Sequence, residues 1–184
     1  MEGEAYFDVT KQAASPFIVH TRDLHVEVLG TAFNVKSYPN DDRTEATLIR
    51  GLVQVRRTGD SREKALLLHP HEKVVVNRSA DNQEDQPLKP ITVQQLKHNL
   101  ADTSLVETAW VYNKLVFDGE DFRDIANEME RWYNVKISIT DPAIARYRFH
   151  AKFENETIAE VLAALQASRP FTFKINNHEI NIYK

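Results

Sequence analysis

The sequence contains no cysteine. Disulfide bonds, thiolate nucleophiles and sulfur-ligated metal sites are therefore excluded, while the redox compartment stays undecided. Long apolar runs are absent too. Apolar runs such as Leu66–Leu68 and Val74–Val76 fall far short of the roughly 20 residues that cross a bilayer. The sequence thus predicts no membrane span.

Neither sign of charge is in large excess. Lys and Arg number 23 against 27 Asp and Glu, which gives a net charge of −4, and neither sign forms one long block. A general nucleic-acid binder needs a basic face that displaces phosphate counterions, so this class is not expected. Hydrophobic residues make up 42% of the 184 residues, enough to bury a core in one large or two small domains.

The first residues do not have the pattern of a secretory signal. Met1–Glu4 lack its basic and apolar segments, and Ala5–Val9 already have the alternation of a strand. We therefore expect an excised part of a longer protein with a start Met added.

Up to about Pro90 the apolar residues alternate with the two-residue period of strands. Further segments with this alternation are Phe17–Thr21, His25–Leu29, Ala32–Lys36, Thr47–Ile49, Leu52–Arg56 and Lys73–Asn77. Turn residues separate them, as at Gly30, Gly51 and Thr58–Asp60. Residues 1–90 are therefore predicted to form an all-β domain, either a sandwich or a solenoid-like fold.

A polar segment follows this half. Ser79–Pro90 is rich in Asp, Asn, Gln and Pro, as in a surface loop or linker. Residues 91–112 are predicted to be a linker with a possible short helix over Thr92–Leu100, capped by Thr92.

The last part of the chain contains an internal repeat with an offset of 36 residues, as for Phe117 and Phe153 (153 − 117 = 36). Six further apolar pairs share this offset: Phe122 with Ile158, Ile125 with Val161, Met129 with Leu165, Val135 with Phe171, Ile137 with Phe173 and Ile139 with Ile175.

Each copy has the pattern of a strand, an amphipathic helix and a second strand. Asp118 and Asn155 are the predicted helix caps, and a final hairpin turns at Asn176–Asn177. Residues 113–184 are therefore predicted to be an α+β domain of the form βαβ-βαββ.

Candidate chemistry is sparse. His69 and His71 are separated by proline and lack a third ligand nearby in sequence, and Asp41–Asp42 with Glu45 lack the spacing of a calcium loop. There is no Gly-x-Ser-x-Gly motif, and carboxylate pairs such as Glu128 and Glu130 point to different helix faces. We predict no catalytic residue, no metal and no cofactor.

The aromatic pair Trp132–Tyr133 could be part of a recognition surface, but it extends the apolar stripe of its helix, which favours core packing. The residues that bind a partner are not identified.

Several motifs resemble the FecR domain of anti-sigma regulators. They are Gly3–Val9, Pro16–His20, Val28–Val35 and Leu48–Val55. Further motifs resemble the domain that follows FecR in regulators of Bacteroides-like bacteria, which is similar in turn to the short N-terminal signalling domain of secretins and TonB-dependent transducers. These are Leu115–Asp118, Trp132–Val135 and Tyr147–Phe149.

Two positions depart from the family pattern. A glycine usually follows the proline where this chain has His71, and the usual Asn-Gly-Lys-Leu lacks its glycine at Asn113. The glycine-type turn at His71 is therefore in doubt.

The resemblance implies the periplasmic sensor region of a single-pass inner-membrane anti-sigma factor. Its partners would be the signalling domain of a TonB-dependent outer-membrane transducer, a regulatory protease and an extracytoplasmic-function sigma factor, the last held by a cytoplasmic segment outside this sequence. We expect the repeat domain to work by docking at open sheet edges. The alternative is a carbohydrate- or surface-binding β module with an accessory α+β domain, and a hydrolase is a third possibility. The oligomeric state is left open.

Overall fold

The computed structural model describes residues 1–12, 14–59, 64–78, 91–96 and 105–184. Contacts between Cα atoms divide the chain into two compact units, Met1–Thr108 and Ala109–Lys184. The described residues form mostly β-sheet, in several sheets, with two α-helices among them, which agrees with the α+β prediction. The domain bounds 1–90 and 113–184 remain a prediction. No helix of the described residues is both long and apolar enough to cross a bilayer.

The first unit consists of nine strands in its described residues. They are β1 Gly3–Asp8, β2 Phe17–His20, β3 Leu24–Val28, β4 Ala32–Ser37, β5 Arg43–Arg50, β6 Val53–Arg57, β7 Leu66–Leu68, β8 Glu72–Asn77 and β9 Thr92–Gln95. They form an antiparallel five-stranded sheet, β1-β4-β5-β8-β9, and an antiparallel four-stranded sheet, β2-β3-β6-β7. Alternating apolar residues of both sheets meet in one buried core, which is the architecture of a sandwich rather than of a solenoid.

One arginine connects the two sheets. Arg78, directly after β8, donates from Nε to Asp23 Oδ2 at 2.9 Å, and Asp23 directly precedes β3 of the other sheet. The same guanidinium donates to Thr44 Oγ1 at 2.9 Å and to the carbonyl of Asp41 at 2.8 Å. Thr44 in turn donates to Asp23. This largely buried polar cluster therefore joins strand ends that are far apart in sequence.

The predicted helix over Thr92–Leu100 is wrong at its start, because Thr92–Gln95 form β9. This strand pairs antiparallel with β8, with Thr92 opposite Val75 and Gln95 opposite Glu72. β-branched residues favour this extended pairing. The predicted linker thus begins inside the sheet, whereas Ser79–Pro90 and 97–104 lie outside the described residues.

The second unit, which we call the lobe (Ala109–Lys184), begins within a 3₁₀ helix over Val106–Tyr112. Its elements are β10 Leu115–Asp121, α1 Phe122–Tyr133, β11 Lys136–Ile139, β12 Arg148–Phe153, α2 Ile158–Ser168, β13 Thr172–Asn176 and β14 Glu179–Tyr183. The two helices begin 36 residues apart (158 − 122), and so do β11 and β13 (172 − 136). The predicted doubled strand-helix-strand module is therefore present.

The two copies are related by an approximate twofold axis. β10 and β12 pair antiparallel, and Val116 lies opposite Lys152, its own equivalent in the other copy (152 − 116 = 36). The second strands of the copies, β11 and β13, both pair with β14, which is parallel to β11 and antiparallel to β13. The last strand of the lobe is therefore the middle strand of its three-stranded sheet.

Aromatic side chains fill the centre of the lobe. The ring of Phe122 is fully buried, and its centroid lies 5.0 Å from that of Phe149 and 5.1 Å from that of Phe171. Trp132 and Tyr133 are partly buried against this core, in agreement with the packing interpretation of that pair.

Both predicted helix caps are wrong. The cap of α1 is Asp121, because β10 continues through a bulge at Gly119, where φ is 90°. The cap of α2 is Thr157, which forms a reciprocal capping box with Glu160. The predicted final hairpin is confirmed, but its turn is Asn177–His178, because Asn176 still belongs to β13; Asn177 has φ of 53°.

Candidate functional site

A group of largely buried ionisable side chains lies in the first unit. Lys73 Nζ lies 3.6 Å from Glu45 Oε2 and 3.0 Å from Glu107 Oε1. Burial acts against the charged form of Glu45, yet Lys73 and then Arg43 lower its pKa overall. Burial also acts against the charge of Lys73, but Glu45 and Glu107 raise its pKa. Opposite charges hold each other ionised at neutral pH, so neither group is suited to proton transfer.

The two histidines considered as metal ligands, His69 and His71, do not form a metal site. His69 is exposed and lies 3.4 Å from a carboxylate oxygen of Glu72, whereas His71 occupies a left-handed turn with φ of 68°. Within the described ranges, no three His, Asp or Glu side chains are grouped to hold a metal ion. The positive φ of His71 shows that the glycine-type turn, which was in doubt, forms at this position without glycine.

The three-stranded sheet of the lobe ends in two different edges. In the outer strand β13, Thr172, Lys174 and Asn176 lie opposite Tyr183, Asn181 and Glu179 of β14. Lys136 N donates to His178 O at 2.7 Å and Thr140 N donates to Ile182 O at 3.0 Å, so even-numbered residues of β14 bond to β11 and odd-numbered ones to β13.

From this alternation, Phe173 and Ile175 direct their backbone N–H and C=O groups away from β14. No other strand of the described chain pairs with them. The edge of β13 can therefore accept hydrogen bonds and donate them to an added strand.

The edge of β11 is covered at one end by a side chain. Ile137 N donates to Glu130 Oε1 at 2.6 Å, and the same oxygen lies 3.1 Å from Lys136 Nζ. The Glu130 side chain is only 12% exposed. Ile139 lies two residues further along the same outer edge, and no described side chain bonds to its N–H or C=O. Only this second half of β11 is open.

A cavity of about 190 Å³ lies beside the open half of β11. Its lining residues come from α1, from β11 and from the segment after β11: Arg123, Ala126, Asn127, Ile137, Ile139, Pro142 and Ala145. The small-molecule sites of proteins usually measure roughly 300–1,000 Å³. This cavity is smaller, a size that suits one side chain of a partner.

Two polar side chains lie at the rim of this cavity, one helical turn apart on α1. Arg123 is exposed and Asn127 is half-buried. Neither side chain has a hydrogen-bond or ion-pair partner among the described residues. The rim therefore offers a cation and an amide beside an apolar interior, which suits the binding of a partner. The lining contains no nucleophile and no general base.

This cavity was not predicted from the sequence. Trp132 and Tyr133, the aromatic pair considered for recognition, do not line the cavity; Tyr133 instead donates its hydroxyl to the carbonyl of Glu156 at 2.9 Å. A usable signal was present in the spacing of Arg123 and Asn127, which places both on one helix face. The cavity itself depends on how the segment after β11 folds, which periodicity does not show.

Two family models match the chain in sequence order. The model of the FecR protein matches residues 1–54, and the model of the FecR C-terminal region matches residues 114–182. The chain belongs to the FecR family. It is of the FecR type of anti-sigma factors, and family membership supports a role as an anti-sigma regulator.

Two crystal structures are similar to this FecR-family chain. Both are of a protein assigned as an anti-sigma factor from Parabacteroides distasonis. The structure at 1.65 Å resolution has a TM-score of 0.82 and 28% identity. The one at 2.50 Å has a TM-score of 0.80 and 29% identity. In both comparisons all of this chain and 78% of the other chain are covered. No protein of curated function matches the chain.

Proposed function

We propose that this chain is the periplasmic sensor region of a membrane-anchored anti-sigma factor. It receives a signal from a TonB-dependent outer-membrane transducer and thereby controls the release of an extracytoplasmic-function sigma factor. The observation that carries the proposal is the presence of both FecR regions in order, on a chain whose whole length matches a protein assigned as an anti-sigma factor.

The lobe supplies the docking surface in this proposal. Its β13 edge and the open half of β11 offer backbone groups, and such groups bind a partner without any catalytic side chain. Signalling then requires only that the transducer bind one state of the regulator more tightly than another. A ligand that binds both states equally does not shift the equilibrium between them. In one of these states a regulatory protease gains access to the regulator.

Titration calorimetry tests the direct contact. The chain is titrated with the N-terminal signalling domain of the transducer encoded beside its gene, and with the same domain from an unrelated transducer as control. We expect a one-to-one complex with the cognate domain only, with a dissociation constant on the order of micromolar, as for transient contacts of modest area.

Two results contradict the proposal. One is equal binding of the cognate and the unrelated domain, and the other is no binding of either at about 1 mM. Saturable binding of the chain to a glycan array instead supports the surface-binding β module.

A further inference from the structure

The cavity beside β11 has the size and lining of a specificity pocket. Its interior is formed by Ala126, Ile137, Ile139 and Ala145 with Pro142 at one side, and its volume of about 190 Å³ leaves room for one aliphatic or aromatic side chain. An apolar side chain that enters it gains the free energy of leaving water, against which the costs of binding are set.

The polar side chains at the rim determine which charge is favoured beside that apolar side chain. Arg123 has no carboxylate partner among the described residues, and its planar group can donate two parallel hydrogen bonds to a carboxylate. Asn127, one turn later, adds an amide donor. Asp141, which directly precedes the lining residue Pro142, accepts a hydrogen bond from Ala143 N at 2.8 Å. The charge at this rim therefore favours an anionic neighbour.

Glu130 fixes where a segment can lie along β11. It bonds Ile137 N, so an added backbone meets an occupied edge there and a free edge only at Ile139, next to the cavity. A segment at this position places alternate side chains toward the cavity, because side chains of a strand alternate between faces.

We propose that the cavity between α1 and β11 binds an extended segment of a partner protein in which an apolar side chain, held in the cavity, is adjacent to a carboxylate that pairs with Arg123. This inference rests on the proposed docking function of the lobe and specifies the chemistry of the partner. The partner is a strand-forming segment with an acidic residue beside its apolar anchor.

The test compares two labelled short peptides by fluorescence anisotropy against the intact chain. Both alternate Thr and Val around a central Leu, and they differ only in having Glu or Lys beside that Leu. We expect the Glu peptide to bind about tenfold more tightly than the Lys peptide. Arg123→Glu reverses this order, because the cation at the rim becomes an anion.

A matched control keeps the test specific to this edge. Lys174→Glu makes the same charge reversal on β13, the opposite edge of the sheet, and leaves the order of the peptides unchanged. Ala145→Leu places extra side-chain volume in the cavity and weakens the binding of both peptides about tenfold or more. If Ala145→Leu does not fold by circular dichroism, the surface change Arg123→Glu still decides the question.

Three outcomes overturn the inference: no binding of either peptide at about 1 mM, no change of order in Arg123→Glu, or the same reversal in Lys174→Glu. The transducer domain separates this inference from the proposed function. If that domain binds Arg123→Glu as tightly as the native chain, the cavity is not the binding site and the sensor function stands. If the peptides behave as expected and no transducer domain binds, the cavity stands and the sensor function does not.

Discussion

In the sandwich, the two sheets share a mainly aliphatic core and are also joined by the guanidinium of Arg78, whereas in the lobe the layers meet at the rings around Phe122. Hydrogen bonds to a guanidinium depend on direction, while the packing of rings depends mainly on volume and burial. The first unit should therefore be sensitive to the chemistry of its connecting residue, and the second to the size of its central one.

The largest effect is expected for Phe122→Ala. Removal of a fully buried ring leaves a cavity and costs about 3–5 kcal/mol of unfolding free energy. Urea denaturation followed by the fluorescence of Trp132, which packs against this core, measures the loss. Phe122→Leu keeps most of the apolar volume and should lose much less. Equal losses for both variants would show that the lobe does not tolerate a change of shape.

Arg78→Met comes next. It removes the guanidinium from Asp23 and Thr44 and leaves the Asp23 carboxylate without its cation in a largely buried cluster, at a cost of about 3 kcal/mol. Arg78→Lys should lose most of this stability as well, because an ammonium cannot reproduce the fork of donors.

The matched control is Arg50, which pairs with Asp8 at the surface. The Arg50 side chain is 67% exposed and the Asp8 side chain 59%. Arg50→Met should cost less than about 1 kcal/mol. Thermal melting distinguishes these variants. Full stability in Arg78→Lys would mean that charge alone joins the sheets.

A third comparison sets the two copies of the repeat against each other. Thr157 accepts a hydrogen bond from Glu160 N and caps α2, whereas the side chain of Asp121 makes no such bond at α1. Thr157→Ala should cost about 1 kcal/mol, and Asp121→Ala less than about 0.5 kcal/mol.

The pKa of Glu160 provides an independent readout. It is lowered first by the backbone N–H of Thr157 and then by the Thr157 hydroxyl, so loss of the hydroxyl moves this pKa upward. The stabilisation is present above the unfolded pKa and is lost as the pH falls through the lowered one. An NMR titration of Thr157→Ala that leaves the pKa of Glu160 unchanged would contradict the capping box.

The smallest effect is expected at the two family departures. His71 has φ of 68° and Asn113 has φ of 57°, both left-handed. His71→Gly relieves the strain of a side chain in this region and should stabilise the sandwich by less than about 1 kcal/mol. Asn113→Gly should gain less, since asparagine tolerates this conformation and donates to the Glu154 carbonyl at 3.3 Å. Chemical denaturation compares them; a loss of stability in His71→Gly would show that the histidine side chain contributes more than its strain costs.

Local patterns predicted much of the fold. The repeat offset placed both helices of the lobe, and alternation placed most strands of the sandwich, because burial of one face leaves a period in the sequence. The segment from Thr92 was misassigned, since its short apolar spacing suits a helix as well and only the free edge of β8 decides for a strand. The capping box of Thr157 and Glu160 was visible in the sequence and was overlooked.

Local sequence patterns could not predict the candidate site. Arg123 and Ala145 are 22 residues apart (145 − 123) and meet at one cavity through the return segment after β11. The bond between Glu130 and Ile137 N likewise depends on the turn between α1 and β11, where Asn134 has φ of 52°. Contacts of this kind result from tertiary geometry and have no period of their own.

The position of β14 has a consequence for the integrity of the lobe. Ile180 and Ile182 of this final strand are buried, and its backbone bonds to β11 on one side and to β13 on the other. Removal of Glu179–Tyr183 would therefore separate β11 from β13 and expose the apolar interior. Both open edges proposed for docking thus depend on one shared strand, and a variant that cannot form β14 would lose both of them together.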